Sequence, residues 1–201
     1  MDQNLSGESM FYQVLSKVNN RIKFLYRYKD CLSLSLRKKL CSALVLCHFD
    51  YCCQSWFTSL SSLQKQKLQA AQNKVVRYIL DLSPRAHIGQ TQLNLLGLLN
   101  VSDRVKFTRL NHVFKIKNTV CPTYLKGNFN KIPHDLNTRA SSHNFFVPQV
   151  QGVAAKSFFF NGIKDWNELP ISLKTVTSKV SFKGKVKQFL ASTRLKSETG
   201  Q

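Results

Sequence analysis

Cys47, His48, Cys52 and Cys53 form the densest group of metal-ligating side chains in the sequence. Zinc ligands come as two pairs, each about two to four residues apart. No second pair exists here: Cys31, Cys41 and Cys121 stand apart, and His87, His112, His134 and His143 are too widely spaced. Reduced thiols buried on an apolar helix are favoured over a zinc site. The carboxylates argue the same way. They are scattered as Asp2, Glu8, Asp30, Asp50, Asp81, Asp103, Asp135, Asp165, Glu168 and Glu198, with none adjacent. Two-metal nucleotidyl transfer needs several of them converging on Mg²⁺. Asp50 lies in a mostly apolar stretch, where a paired structural role is favoured over a metal role.

Other chemistry finds no foothold. The sequence has no glycine-rich phosphate loop, nucleophile elbow or HExxH, and no dinucleotide, haem or flavin signature. A Cys–His dyad is conceivable from the inventory, but nothing local marks a nucleophile. The expectation is a binding or scaffold domain with no catalytic residue, metal or cofactor.

The basic residues carry the positive signal. Thirty Lys and Arg stand against ten Asp and Glu in 201 residues, a formal net charge of +20. Such an excess opposes compaction unless a polyanion screens it. It is spread along the chain, so this is no neutral domain with a basic tail. RNA and DNA are favoured as partners over an anionic membrane or an acidic protein. The candidates for phosphate contact are Arg37, Lys38, Lys39, Lys65, Lys67, Lys74, Arg77, Lys183, Lys185 and Lys187. Among the aromatics, Phe158, Phe159, Phe160, Tyr51 and Trp56 could stack on bases, although a place in the core is favoured for each.

Helices must position these residues. Phe11, Val14, Leu15, Val18, Ile22, Leu25 and Tyr26 recur at three- and four-residue spacing, with Lys17, Arg21 and Lys23 off the stripe. A second helix begins near Ser33 or Ser35, with Leu36, Leu40, Ala43 and Leu44 on its inner face. A third follows Thr58–Ser62, with Leu63, Leu68, Ala71, Val75, Val76 and Ile79 inward. Short helices are expected at Gln92–Leu99 and Asp103–Asn118, capped by Thr91 and Ser102. Prolines and glycines break residues 119–153 into loops, with one short strand at Asn144–Val147. Helix returns at Ala155–Asn167, and Ser181 is expected to cap a last one. The predicted fold is mainly α: a flexible start (1–9), a helical bundle (10–119), a loop-rich connection (120–153), two C-terminal helices (154–192) and a flexible tail (193–201). No apolar run is long enough to span a bilayer. The N-terminus lacks a secretory pattern, which points to an intracellular location, nuclear or cytoplasmic, with reduced thiols.

Several short segments resemble one family. His48-Phe49-Asp50-Tyr51-Cys52, followed by Trp56, resembles the "LPHLDYC..vW" segment that follows the catalytic palm in reverse transcriptases of non-LTR (LINE-type, jockey/CR1-like) retrotransposons. Leu63 to Tyr78 is similar to that family's "L...QN.aaRlI" helix, and Leu95–Leu99 through Arg104 to its "L..LgwLpv..R" element. Tyr124-Leu125 falls at the "P.YL" position. Thr138-Arg139, Phe146-Val147-Pro148, Lys156-Ser157-Phe158 and Trp166-Asn167-Glu168-Leu169-Pro170 resemble the ending "tR....l.vP......sF...g...WN.LP". Phe182 to Leu190 matches "sF...lk..L". Order and spacing hold over roughly residues 10–192.

The resemblance implies the thumb-like, post-palm part of an RNA-directed DNA polymerase, which would grip the template–primer backbone. The palm's aromatic-Ala-Asp-Asp motif is absent from the sequence, as are the fingers and endonuclease segments. The missing palm and fingers are therefore implied partners, and no enzymatic activity is expected. Cys47 stands where the family has Pro, a change expected to leave its helix straighter, and the CCHC knuckle of some relatives is missing. The alternative is a degraded or domesticated mobile-element remnant acting as a protein-interaction module.

Overall fold

Helix α1 (Glu8–Tyr26) forms where Phe11, Val14, Val18, Ile22 and Leu25 recur at helical spacing, and all five are buried. A computed structural model describes residues 7–118, 121–130 and 143–199 of the chain, and these are mainly α-helical. Gly7 starts α1 at φ 74°, a left-handed conformation that favours glycine. A Cβ there would lie 2.7 Å from the Trp56 carbonyl oxygen, so the site is closed to larger residues on two counts.

Ser33, one of the two expected caps, accepts from the Leu36 N–H and opens α2 (Leu34–Cys41). A π-helical turn (Ser42–Leu46) joins it to α3 (Cys47–Asp50). That turn changes the expected inner face. Cys41, Val45, Leu46 and Phe49 are buried, Leu40 and Leu44 pack at the margin, and Ala43 and Leu36 are exposed. Spacings of four drift off a 3.6-residue helix, and the wider π turn returns them to one side. Nor is the helix uninterrupted at Cys47, whose Sγ donates to the Ala43 carbonyl just after the π turn.

Beyond α4 (Cys53–Trp56), Ser61 and Gln64 cap α5 (Ser62–Leu80) reciprocally, each side chain bonded to the other's backbone N–H. Leu63 precedes the packed part of α5 and is exposed, against expectation, while the rest of the predicted face is buried. Helix α6 (Gln90–Leu96) starts at Gly89, whose N–H donates to Gln92, and stops at Gly97, φ 64°. Helix α7 (Val101–Asn118) is capped by Asn100, not Ser102: Asn100 accepts from the Asp103 N–H and donates to the Asp103 carboxylate. The amide accepts through Oδ1 and donates through Nδ2, so both of its ends bond to Asp103.

After α8 (Thr123–Lys126), the expected strand at Asn144–Val147 is reduced to one bridged residue, Phe145. Ser157 caps α9 (Phe158–Asn167), which is followed by α10 (Ile171–Lys174) and α11 (Lys179–Thr199). The end therefore holds three helices rather than two. Its last cap is Ser178, whose hydroxyl accepts from the Ser181 N–H. Helix α11 runs on to Thr199, with no Gly or Pro between Gly184 and Gly200.

The chain divides into two units, Met1–Val105 with Thr193–Gln201, and Lys106–Ser192. In the first, α1, α2, the π turn and α5 enclose Val18, Cys41, Val45, Leu68 and Val75. Tyr78 is buried there, and its hydroxyl donates to the Leu25 carbonyl. In the second, Trp166 and Phe182 are fully buried, and Phe182 stacks on Phe114 at 4.2 Å.

Candidate nucleic-acid interface

The ten candidate cations separate into two kinds. Lys39, Lys67, Lys74, Lys183, Lys185 and Lys187 are exposed, and none of them forms an ion pair among the described residues. Lys67 and Lys74 lie two turns apart on an exposed side of α5 that borders the buried Ala71 and Val75. Lys183, Lys185 and Lys187 flank the buried Phe182 and Val186 on α11. Lys38 is half-buried in the last turn of α2.

Arg37, Arg77 and Lys65 are occupied. The Arg37 Nε donates to the Leu32 carbonyl at 2.9 Å, its guanidinium stands 3.6 Å from Asp81, and it lies over the Tyr78 ring. The Arg77 Nε donates to the Ala86 carbonyl at 2.9 Å and pins the loop after α5. Lys65 is half-buried, 5.5 Å above the Phe57 ring. These three are half-buried and engage protein groups, where their spacing predicts heads that point fully outward. Arginine's planar, weakly hydrated fork suits it to bonding carbonyls at a helix edge. Lys65 also borders a cleft of about 260 Å³, lined by the amides Gln66, Gln69, Asn73, Gln90 and Asn100.

The thiols and aromatics need the same sorting. Only Cys41 and Cys53 are buried; Cys31, Cys47 and Cys52 are exposed and Cys121 is intermediate, and none of the six forms a disulfide. Cys47 falls on the outer side of its helix, and Cys52 sits in the sharp turn before α4 at φ 47°. Burial pushes the Cys41 thiol up to about 12. No group of three or more His, Cys, Asp or Glu among the described residues could hold a metal ion. Trp56 is core, donating its indole N–H to the Tyr51 carbonyl, whereas Tyr51 itself is exposed. Phe158 and Phe159 join a half-buried ring cluster with Phe129, and Lys164 lies over Phe160.

In the first unit, residues of the quoted segments bond to one another. Both oxygens of Asp50 accept from Arg104, which also reaches the Leu46 carbonyl. Gln72 donates to the Leu99 carbonyl at 2.7 Å, and Gln69 accepts from the Val101 N–H at 2.9 Å. In the second unit, Trp166 donates to the His143 carbonyl, and Asn167 pairs its whole amide with the backbone of Phe145. No known family, curated protein or solved structure matches the chain.

Two features escaped sequence reasoning. The first is a buried ion pair, Arg109 to Asp165 at 2.7 Å, with Lys106 alongside. Nothing short of the fold brings α7 and α9 together. The second is the exposed flank of α1, where Phe24 and Tyr28 accompany Lys17, Arg21 and Arg27. Its signal was present: large aromatics off the apolar stripe of a helix.

Proposed function

We propose that the chain is a non-catalytic, sequence-nonspecific binder of nucleic-acid backbone. One observation carries this reading: Lys67, Lys74, Lys183, Lys185 and Lys187 are exposed and form no ion pair among the described residues, in a chain of net charge +20. Lysine heads on the outside of a helix contact phosphate without reading bases. The ordered set of segments similar to LINE-type retrotransposon polymerases supports a more particular reading, the post-palm portion of an RNA-directed DNA polymerase. In that setting the palm and fingers would supply the chemistry and this part would hold template and primer. Where no such partners exist, the alternative is a protein-interaction module.

The test is fluorescence anisotropy with unrelated RNA and DNA sequences across a salt series. Contact with about five phosphates gives a log–log slope near −4.5 on duplex and roughly −3.5 on single strands. Lys67→Gln with Lys74→Gln should weaken all sequences alike and flatten the duplex slope by up to about 1.8. The triple change of Lys183, Lys185 and Lys187 to Gln reports on α11 separately. Affinity indifferent to salt favours the protein-interaction module. Template-dependent primer extension by the purified chain with Mg²⁺ would refute the non-catalytic reading.

A further inference from the structure

One flank of α1 differs in kind from the lysine faces. Lys17, Arg21 and Phe24 recur at intervals of four and three and so fall on one side of α1, and Tyr28 follows in the turn just past the helix end. All four are exposed, Phe24 to 50% and Tyr28 to 51%. Their two rings neighbour each other, centroids 5.3 Å apart and planes tilted by 58°. Arg27 extends the same region and is exposed. Burial first, and then the charges of Lys17 and Arg21, lowers the pKa of His48 of α3, so that side of α1 carries cations on the approach to α3. The only carboxylate of α1, Glu8, stands at the helix's opposite end, and Asp30 lies in the turn beyond Tyr28.

These rings are not misplaced core. The buried stripe of α1 is complete with Phe11, Val14, Val18, Ile22 and Leu25. Leaving two large aromatics in water beside three cations is what a surface needs to hold a polyanion that also presents flat apolar faces. Unpaired bases have such faces free, whereas a duplex covers them by stacking. An uncharged protein partner would leave the cations unanswered.

We propose that this flank binds single-stranded nucleic acid, with bases stacked on Phe24 and Tyr28 and phosphates at Lys17, Arg21 and Arg27. The inference rests on the backbone-binding reading above and adds a preference for unpaired strands at a defined surface.

The experiment compares three ligands of equal length on the full chain: an oligothymidylate, an abasic oligomer and a DNA duplex. The double variant Phe24→Ala with Tyr28→Ala should lose roughly 10- to 100-fold for oligothymidylate and little for the other two, with an unchanged salt slope. The pair Lys17→Gln with Arg21→Gln should instead weaken all three and flatten the single-strand slope by roughly 1.4. A second variant needs no loss of side chain. Both native tryptophans, Trp56 and Trp166, are buried, so Phe24→Trp introduces an exposed reporter. Its fluorescence should be quenched by oligothymidylate and not by the abasic oligomer. Unchanged oligothymidylate affinity in the alanine variant, equal losses on abasic and base-bearing strands, or an unquenched Trp at 24 would overturn the stacking site while leaving backbone binding intact. Failure of the unmodified chain to bind any of the three would overturn both. Anionic phosphatidylserine vesicles quenching the Trp where oligothymidylate does not would make the flank a lipid-binding surface and sink the proposal.

Discussion

Asn167 spends its whole amide on one residue, accepting from the Phe145 N–H at 2.9 Å and donating to its carbonyl at 2.8 Å. Asn167→Ala leaves both backbone groups wanting partners and should cost about 1–3 kcal/mol in urea unfolding. Arg109→Ala should cost more, about 3 kcal/mol, because it strips the closest partner from the buried Asp165 carboxylate. Thiol accessibility gives a separate check on burial. A maleimide should label Cys31, Cys47 and Cys52 in the native chain, and Cys41 and Cys53 only after unfolding; native labelling of Cys41 would show the first core to be open. At this scale the interface was half legible. Lys67 and Arg77 look equivalent as charges on a helical wheel. What separates them is position and donor geometry, since a guanidinium in the last turn before a loop finds the loop's carbonyl while an ammonium head gains more from water.

Helices were the most legible elements, because the spacing of apolar residues alone predicts α1, α5, α9 and α11 and most of their buried positions. Their ends were less so. Asn100 and Ser178 displaced the expected Ser102 and Ser181 because a cap is chosen by which side chain the local turn aims at the helix, and neighbouring polar residues compete for it. The π turn was invisible, since nothing in Ser42–Leu46 marks a widened turn before its neighbours are packed. Glycines inside helices test the packing directly. A Cβ at Gly184 of α11 meets nothing within 4 Å, so Gly184→Ala should raise stability by about 0.5–1 kcal/mol. At Gly162 of α9 the same atom lies 3.0 Å from Val113, and thermal melts should show the gain reduced or reversed. Two histidines set the acid limit. Burial first, then Lys17 and Arg21, holds His48 below its ordinary pKa; burial, then Lys115, does so for His112. The unfolded chain therefore takes up these protons first, so their contribution is complete above about pH 6.5 and lost as pH falls through the depressed folded-state values. Urea midpoints should drop between about pH 7.5 and about pH 5.5, and His48→Gln with His112→Gln should flatten that drop.

For the molecule as a whole, charge dominates. A net +20 repels itself, so raising salt from low to moderate ionic strength should raise the melting temperature, and a short polyphosphate should raise it further at equal ionic strength. A melting temperature that falls with salt would mean that attraction within ion pairs outweighs the excess. The bonds made by residues of the quoted segments bear on how such a chain would change over generations. Asp50 with Arg104, and Trp166 and Asn167 with the His143–Phe145 backbone, tolerate few substitutes, whereas one Lys or Arg on an outer face can be traded for another a turn away. Ranking positions by evolutionary rate would therefore pick out the scaffold and pass over the binding surface. In this chain, invariance would mark what must fold, and drifting cations would mark what touches the partner.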